Sequence, residues 1–217
     1  MSATGVLLMT YGAPGDDADL PRYLAAVRGG RVPTEELIAE MRRRYALIGW
    51  SPLVRITQAQ AAALETVLGE GYVAAAGMRY SEPSIDAAMR ELIERGADRV
   101  VGICMSPQWS PRLMGGYGDA LVEAASRSGV AATMTRGWHA EPAFISATAE
   151  RVRESLRDAD AATAIVLTAH SVPRRVFDAE PEYIAQLHET ADLVATAARL
   201  ERGRWHWAYQ SAGHTQE

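Results

Sequence analysis

Val6, Leu7, Leu8 and Met9 form a continuous apolar run with no polar residue between them. A strand with one wet face alternates apolar and polar residues. A strand buried on both faces does not, so this run belongs in a parallel sheet covered by helices. Residues 164–173 repeat the design: Ile165, Val166 and Leu167 lead through Thr168 and Ala169 to His170, and Pro173 closes a turn. Laid on residues 5–14, the repeat puts His170 on Tyr11 and Pro173 on Pro14. Two similar halves are expected, each presenting a polar ring at the end of its first strand, around one cleft.

Between these runs the pattern is β-α repetition with short connections. Helices are expected over 20–28, stopped by Gly29 and Gly30, over 34–45, and over 57–68. Strands follow over 73–78, 99–105 and 130–135, with helices over 84–95 (Ser84 as cap), 118–128 and 141–156. The pattern restarts with a strand over 165–168, a helix over 182–198 and a strand over 205–209. The fold class is α/β, a doubly wound parallel sheet flanked by helices. Three helices in succession break the alternation, and residues 30–70 read as a helical lid insertion. Polar residues 157–161 mark a boundary, giving a first domain over 1–160 and the start of a second, incomplete one over 161–217. Two strands and one helix cannot cover a second sheet, so the chain is expected to be a fragment or to pack that half onto the first.

Net charge is −5, which argues against a nucleic-acid or anionic-membrane binder. All basic side chains are arginine, whose fixed fork suits carboxylates. The single cysteine, Cys104, rules out a disulfide framework or a multi-cysteine metal site, and its apolar surroundings make it a core residue. No stretch is long and apolar enough to span a bilayer, and the first residues lack a signal-peptide pattern, so a cytoplasmic protein is expected. Phosphate-loop and dinucleotide motifs are absent, which leaves no support for a nucleotide cofactor.

Ligands of open parallel sheets bind beyond the carboxyl ends of the strands. His170, Tyr11, Arg79, Tyr80 and residues 106–110 fall there. A strand-end histidine suits metal ligation or proton transfer near neutral pH. His139, His188, His206 and His214 are weaker candidates, and no pair has the spacing of a zinc helix. Gly115, Gly116 and Gly118 around Tyr117 could cap a helix or let an anion approach its start. Arg42, Arg43 and Arg44 read as a face matched to the carboxyl end of a helix dipole.

Several motifs taken in order resemble the ferrochelatases, from Val6 to the last residue. They are residues 9–14 (Met9 to Pro14), Arg44 and Tyr45 with Ile48 and Gly49, then Ser51, Pro52 and Leu53, and Thr57 with Gln60. Gly77 to Tyr80, Thr168 to Pro173, and Tyr209, Gln210 and Ser211 with Gly213 complete the set. Tyr11 in the first motif resembles the coproporphyrin type of Gram-positive bacteria. The resemblance implies a chelatase-like fold of two Rossmann-like halves, and insertion of Fe(II), the substrate metal, into coproporphyrin III in haem biosynthesis with release of two protons. It implies His170 as the catalytic and metal-site residue and Tyr11 as axial ligand to product iron. It also implies that Arg28, Arg44, Tyr45, Ser51 and Tyr117 hold the tetrapyrrole. It names no organic cofactor, leaves Mg(II) open, and fits a monomer without stable membrane insertion. The family's acidic partner for the histidine would lie beyond Glu217, so low stability and weak or impaired metal insertion are expected of these 217 residues alone. Alternatives are a non-catalytic tetrapyrrole-binding or delivery protein, and a chelatase for another metal or tetrapyrrole, such as cobalt into sirohydrochlorin.

Overall fold

A computed structural model describes residues 2–160 and 163–211. Gly213 and His214 lie outside them, as does Ala161 at the expected domain boundary. The chain forms two compact units. One runs to Met105 and includes Gly115–Thr135; the other holds Ser106–Met114 and everything from Arg136 onward.

The first unit carries strands β1 (Ala3–Thr10), β2 (Tyr72–Met78), β3 (Ala97–Cys104) and β4 (Ala131–Met134). All pair in parallel in the order β2-β1-β3-β4, so the sheet winds one way from β1 and then the other. Its helices are α1 (Leu20–Val27), α2 (Glu35–Ile48), α3 (Leu53–Leu68), α4 (Ile85–Glu94) and α5 (Pro111–Ser128), the last beginning in the second unit's segment.

The apolar run of β1 explains the layering. Val6 and Leu8 bury on one face with Ala61 of α3 and Ala74, Ala76 and Met78 of β2. Leu7 and Met9 are fully buried, and Gly5 on their face approaches Leu92 of α4. Each such side chain contributes roughly 1.5–3 kcal/mol, so Leu7→Ala would cost about 2–5 kcal/mol. On α4, Ile85, Ala88, Met89 and Leu92 make the buried stripe that helical spacing requires. Ser84 caps it, its hydroxyl accepting from Ala87 N at 3.2 Å.

The three-helix stretch divides in two. Helix α3 packs on β1 and β2 and is the crossover between them. Helices α1 and α2 pack on each other through Leu20, Tyr23, Leu24 and Ile38. The part of the 30–70 stretch outside regular crossover geometry is therefore α2, paired with α1.

The second unit holds α6 (Pro142–Ser155), β5 (Ile165–His170), α7 (Arg174–Ala179), α8 (Pro181–Ala197) and β6 (Trp205–Gln210). Strands β5 and β6 form a parallel pair. Leu187, Ala191, Val194 and Ala195 line the buried face of α8, which packs on α6. That packing groups α6 with the later residues, whereas the polar stretch 157–161 suggests a boundary after it. Residues 106–114 join this unit through polar anchors. Trp109 N donates to Gln186 Oε1 (2.6 Å), Gln108 Nε2 to Thr190 Oγ1 (3.0 Å) and Arg112 N to Glu180 Oε1 (2.9 Å).

Two local expectations change. Helix α5 starts at Pro111 rather than 118, because Ser110 Oγ accepts from Leu113 N (3.0 Å) and Pro111 opens the first turn. Gly115, Gly116 and Gly118 are thus inside the helix and cap nothing. Helix α2 runs through Ile48, which sets Arg42, Arg43 and Arg44 back from its last turn.

Candidate functional site

In the first unit Tyr11, Arg79, Tyr80 and Tyr117 gather beyond the carboxyl ends of β1 and β2. Arg79 N donates to Thr10 O (2.9 Å) and Tyr80 N to Tyr11 O (3.1 Å), so the ladder continues past both strands and fixes Tyr11 beside Tyr80. Their rings sit 4.6 Å apart, tilted by 59°. Tyr11 remains 43% exposed, enough to meet a ligand. Burial, and then Tyr80, push its phenol above its ordinary value, while Arg79 pulls it down.

Arg79 is a hub. Its Cζ lies 5.0 Å from the Tyr80 ring centroid and 5.4 Å from that of Tyr117. Its guanidinium occupies the space over Gly116, where a Cβ would come within 1.9 Å of Nη2. This explains a glycine that helix propensity disfavours. Tyr117 is buried, and burial raises its pKa. Tyr23 is buried too; its hydroxyl donates to Gly12 O (3.3 Å), and burial raises its pKa. Tyr45 is raised by burial and held back by its hydrogen bond with Tyr23. These phenols stay protonated near neutral pH and can donate hydrogen bonds.

Tyr45 stacks on Trp50, with centroids 5.5 Å apart and planes within 7°. Gly49 (φ 69°) and Trp50 (φ 68°) both take left-handed backbone. That conformation costs a non-glycine residue about 1–2 kcal/mol, and a ring stack returns about 0.5–1.5 kcal/mol. Ser51 Oγ then accepts from Leu53 N (3.3 Å) at the start of α3. Arg28 ends α1 and is exposed. Arg44 is exposed as well, but its Nε donates to Glu40 Oε1 (2.7 Å), and Arg43 donates to the same carboxylate. Arg43 first, and then Arg44, hold Glu40 at about 2. An acidic ligand would therefore compete with Glu40 for Arg44.

In the second unit His170 closes β5 with an exposed ring. Its Nδ1 lies 2.7 Å from the Ser171 carbonyl oxygen. A carbonyl only accepts, so this contact needs the proton on Nδ1, and in the neutral ring the lone pair for a metal or a proton is then on Nε2. Ser171 is itself fixed, its N–H donating to Gln210 O (2.8 Å) and its Oγ to Ser211 O (3.0 Å). His170 borders a cleft of about 340 Å³ lined by Gln108, Tyr183, Leu187, Val194 and Trp207. His139 Nε2 faces Glu189 Oε2 at 2.9 Å, His188 lies 5.0 Å from the Trp207 ring, and His206 is exposed on β6.

Sequence reasoning placed Arg79 at a strand end but missed its packing with Gly116 and Tyr117, and it missed the Trp50 stack. A glycine in mid-helix and a bulky residue straight after a helix-ending glycine were the signals for that packing.

Known proteins converge on one family. The ferrochelatase profile matches residues 3–217. A ferrochelatase of Deinococcus radiodurans is 36% identical, with 98% of this chain and 71% of that protein covered. A coproporphyrin III ferrochelatase of Anoxybacillus flavithermus is 37% identical (98% and 70% covered), and one of Listeria innocua is 33% identical (98% and 72%). Among solved structures, the sirohydrochlorin chelatase SirB of Bacillus subtilis subspecies spizizenii, in complex with cobalt, superposes with a TM-score of 0.55 over 95% of this chain and 67% of that one. At 10% identity that likeness speaks for the fold alone. On the profile and the relatives together, the chain belongs to the ferrochelatase family of enzymes.

Proposed function

We propose that this chain inserts Fe(II) into coproporphyrin III in haem biosynthesis, in the cytoplasm. Family membership supports metal insertion into a porphyrin. The coproporphyrin III ferrochelatases among its relatives, and Tyr11 at the end of β1, support the finer substrate. The observation that carries the chemistry is the exposed His170, whose Nδ1 contact with Ser171 O makes Nε2 the nitrogen that carries the lone pair in the neutral ring.

The reaction exchanges two pyrrole N–H protons for one Fe(II). Nε2 of His170 can bind the incoming metal or accept a pyrrole proton, but not both at once. With Nδ1 tied to a carbonyl, the ring offers no second acceptor, so the protons leave in separate steps, with solvent taking what Nε2 does not. Tyr11 would be the ligand to iron already in the ring, its phenolic proton passing to solvent as the oxygen binds. Arg28 and Arg44 meet the carboxylates of the substrate with charge-assisted bonds, with Glu40 giving way to the ligand at Arg44. Tyr45 and Ser51 hold the macrocycle by hydrogen bonding and contact, while Tyr117, buried beside Arg79, supports that wall from behind. Exposed Leu47 and Ile48, at the end of α2, give it apolar surface.

His170→Ala tests this. Followed by absorbance without oxygen, the variant should bind metal-free coproporphyrin III and fail to convert it with Fe(II). Conversion at the wild-type rate would remove His170 from the chemistry.

A further inference from the structure

The α2–α3 corner spans residues 49–52 and breaks a local rule. A left-handed Gly49 ends α2, and the next residue, also left-handed, is a tryptophan. Glycine would reverse the chain there without strain. The backbone turn does not need an indole either: it is held by Trp50 N donating to Tyr45 O (3.0 Å). A bulky residue kept in a disfavoured conformation points to use of its side chain.

The indole lies parallel to the Tyr45 ring, 5.5 Å centre to centre. Before it, on the far side of Gly49, Leu47 and Ile48 are 75% and 69% exposed. One turn earlier on α2 stand Arg43 and Arg44, and Arg55 is exposed in the first turn of α3. Flat aromatic surface, bare aliphatic side chains and a cationic rim suit one kind of occupant, a planar apolar ring with carboxylates at its edge.

We propose that Trp50 is a further binding residue of the tetrapyrrole site, its indole stacked on the Tyr45 ring and offering its other face to the macrocycle. The proposal rests on the functional reading above and adds to it a named stacking residue within the apolar turn 48–53, between the motif residues Gly49 and Ser51.

The test is the dissociation constant for metal-free coproporphyrin III, read from the porphyrin absorption band, with the melting temperature beside it. Trp50→Gly removes ring and backbone strain together, so melting should stay within about 3 °C of wild type. Binding should weaken about tenfold, the loss of one aromatic stacking face. Trp50→Phe, which keeps a ring, should recover most of that affinity. Val67→Ser, at an 83% exposed apolar position near the end of α3, should leave it unchanged. Equal affinity in Trp50→Gly and wild type overturns the proposal. So does a loss in Trp50→Phe as large as in Trp50→Gly. Wild-type protein that fails to bind coproporphyrin III at all overturns the functional reading instead.

Discussion

Gly115 and Gly116 are neighbours in α5 with opposite surroundings, and they give a sharp test of the Arg79 hub. A Cβ added to Gly115 meets nothing within 4 Å. One added to Gly116 falls 1.9, 2.3 and 2.7 Å from Nη2, Cζ and Nη1 of Arg79. Alanine in place of glycine inside a helix gains about 1 kcal/mol. Gly115→Ala should realise that gain, raising the melting temperature by about 2–4 °C. Gly116→Ala gains the same propensity but must expel the guanidinium. Arg79 then loses its places over Tyr80 and Tyr117, each contributing about 0.5–1 kcal/mol. The net result is a protein at wild-type stability or about 1 kcal/mol below it. Thermal and urea unfolding of the two variants should therefore separate by about 1–2 kcal/mol. Equal stabilisation by both substitutions would refute the packing argument for Gly116.

Burial raises the pKa of Tyr23 and Tyr117, so the folded state keeps protons that the unfolded chain releases above about pH 10. The stability they protect is intact below that pH and falls as pH rises past it, by about 1.4 kcal/mol per pH unit for each phenol. Tyr117→Phe should flatten that slope in alkaline unfolding curves; an unchanged slope would contradict the burial argument. Glu40→Gln should tighten coproporphyrin III binding about two- to fivefold at low salt by freeing Arg44, with the gain fading as salt rises. Weaker or salt-independent binding would mean that Arg44 does not meet the ligand. Tyr11→Phe should change the absorption spectrum of the ferric coproporphyrin complex, and an unaltered spectrum would remove Tyr11 as axial ligand.

The parts of the fold that were legible in the sequence depend on neighbours in the chain. The unbroken apolar run of β1 announces burial on both faces, and Ser84 announces the start of α4, because pattern and cap are local signals. Helix α5 was read seven residues short, since its glycines look like breakers until Ser110 and Arg79 are seen around them. Helix α7, six residues long, is too short to show a period. The grouping of residues 106–114 with α8 rests on Gln186, Thr190 and Glu180, partners about 70 to 80 positions away that no local pattern marks. His170 was legible as a strand-end histidine, yet its tautomer follows from the Ser171 carbonyl lying 2.7 Å from Nδ1. The Arg43–Glu40 and Arg44–Glu40 pairs follow from helical spacing and could have been read from the sequence; the dipole reading of the arginine cluster hid them.

The most direct test of the central claim is the absorption spectrum of the wild-type protein mixed anaerobically with Fe(II) and coproporphyrin III, with two-carboxylate protoporphyrin IX run in parallel. Slow conversion of coproporphyrin III to its iron complex, still faster than that of protoporphyrin IX, is the expected result. No iron insertion into coproporphyrin III, or a preference for protoporphyrin IX, would contradict it.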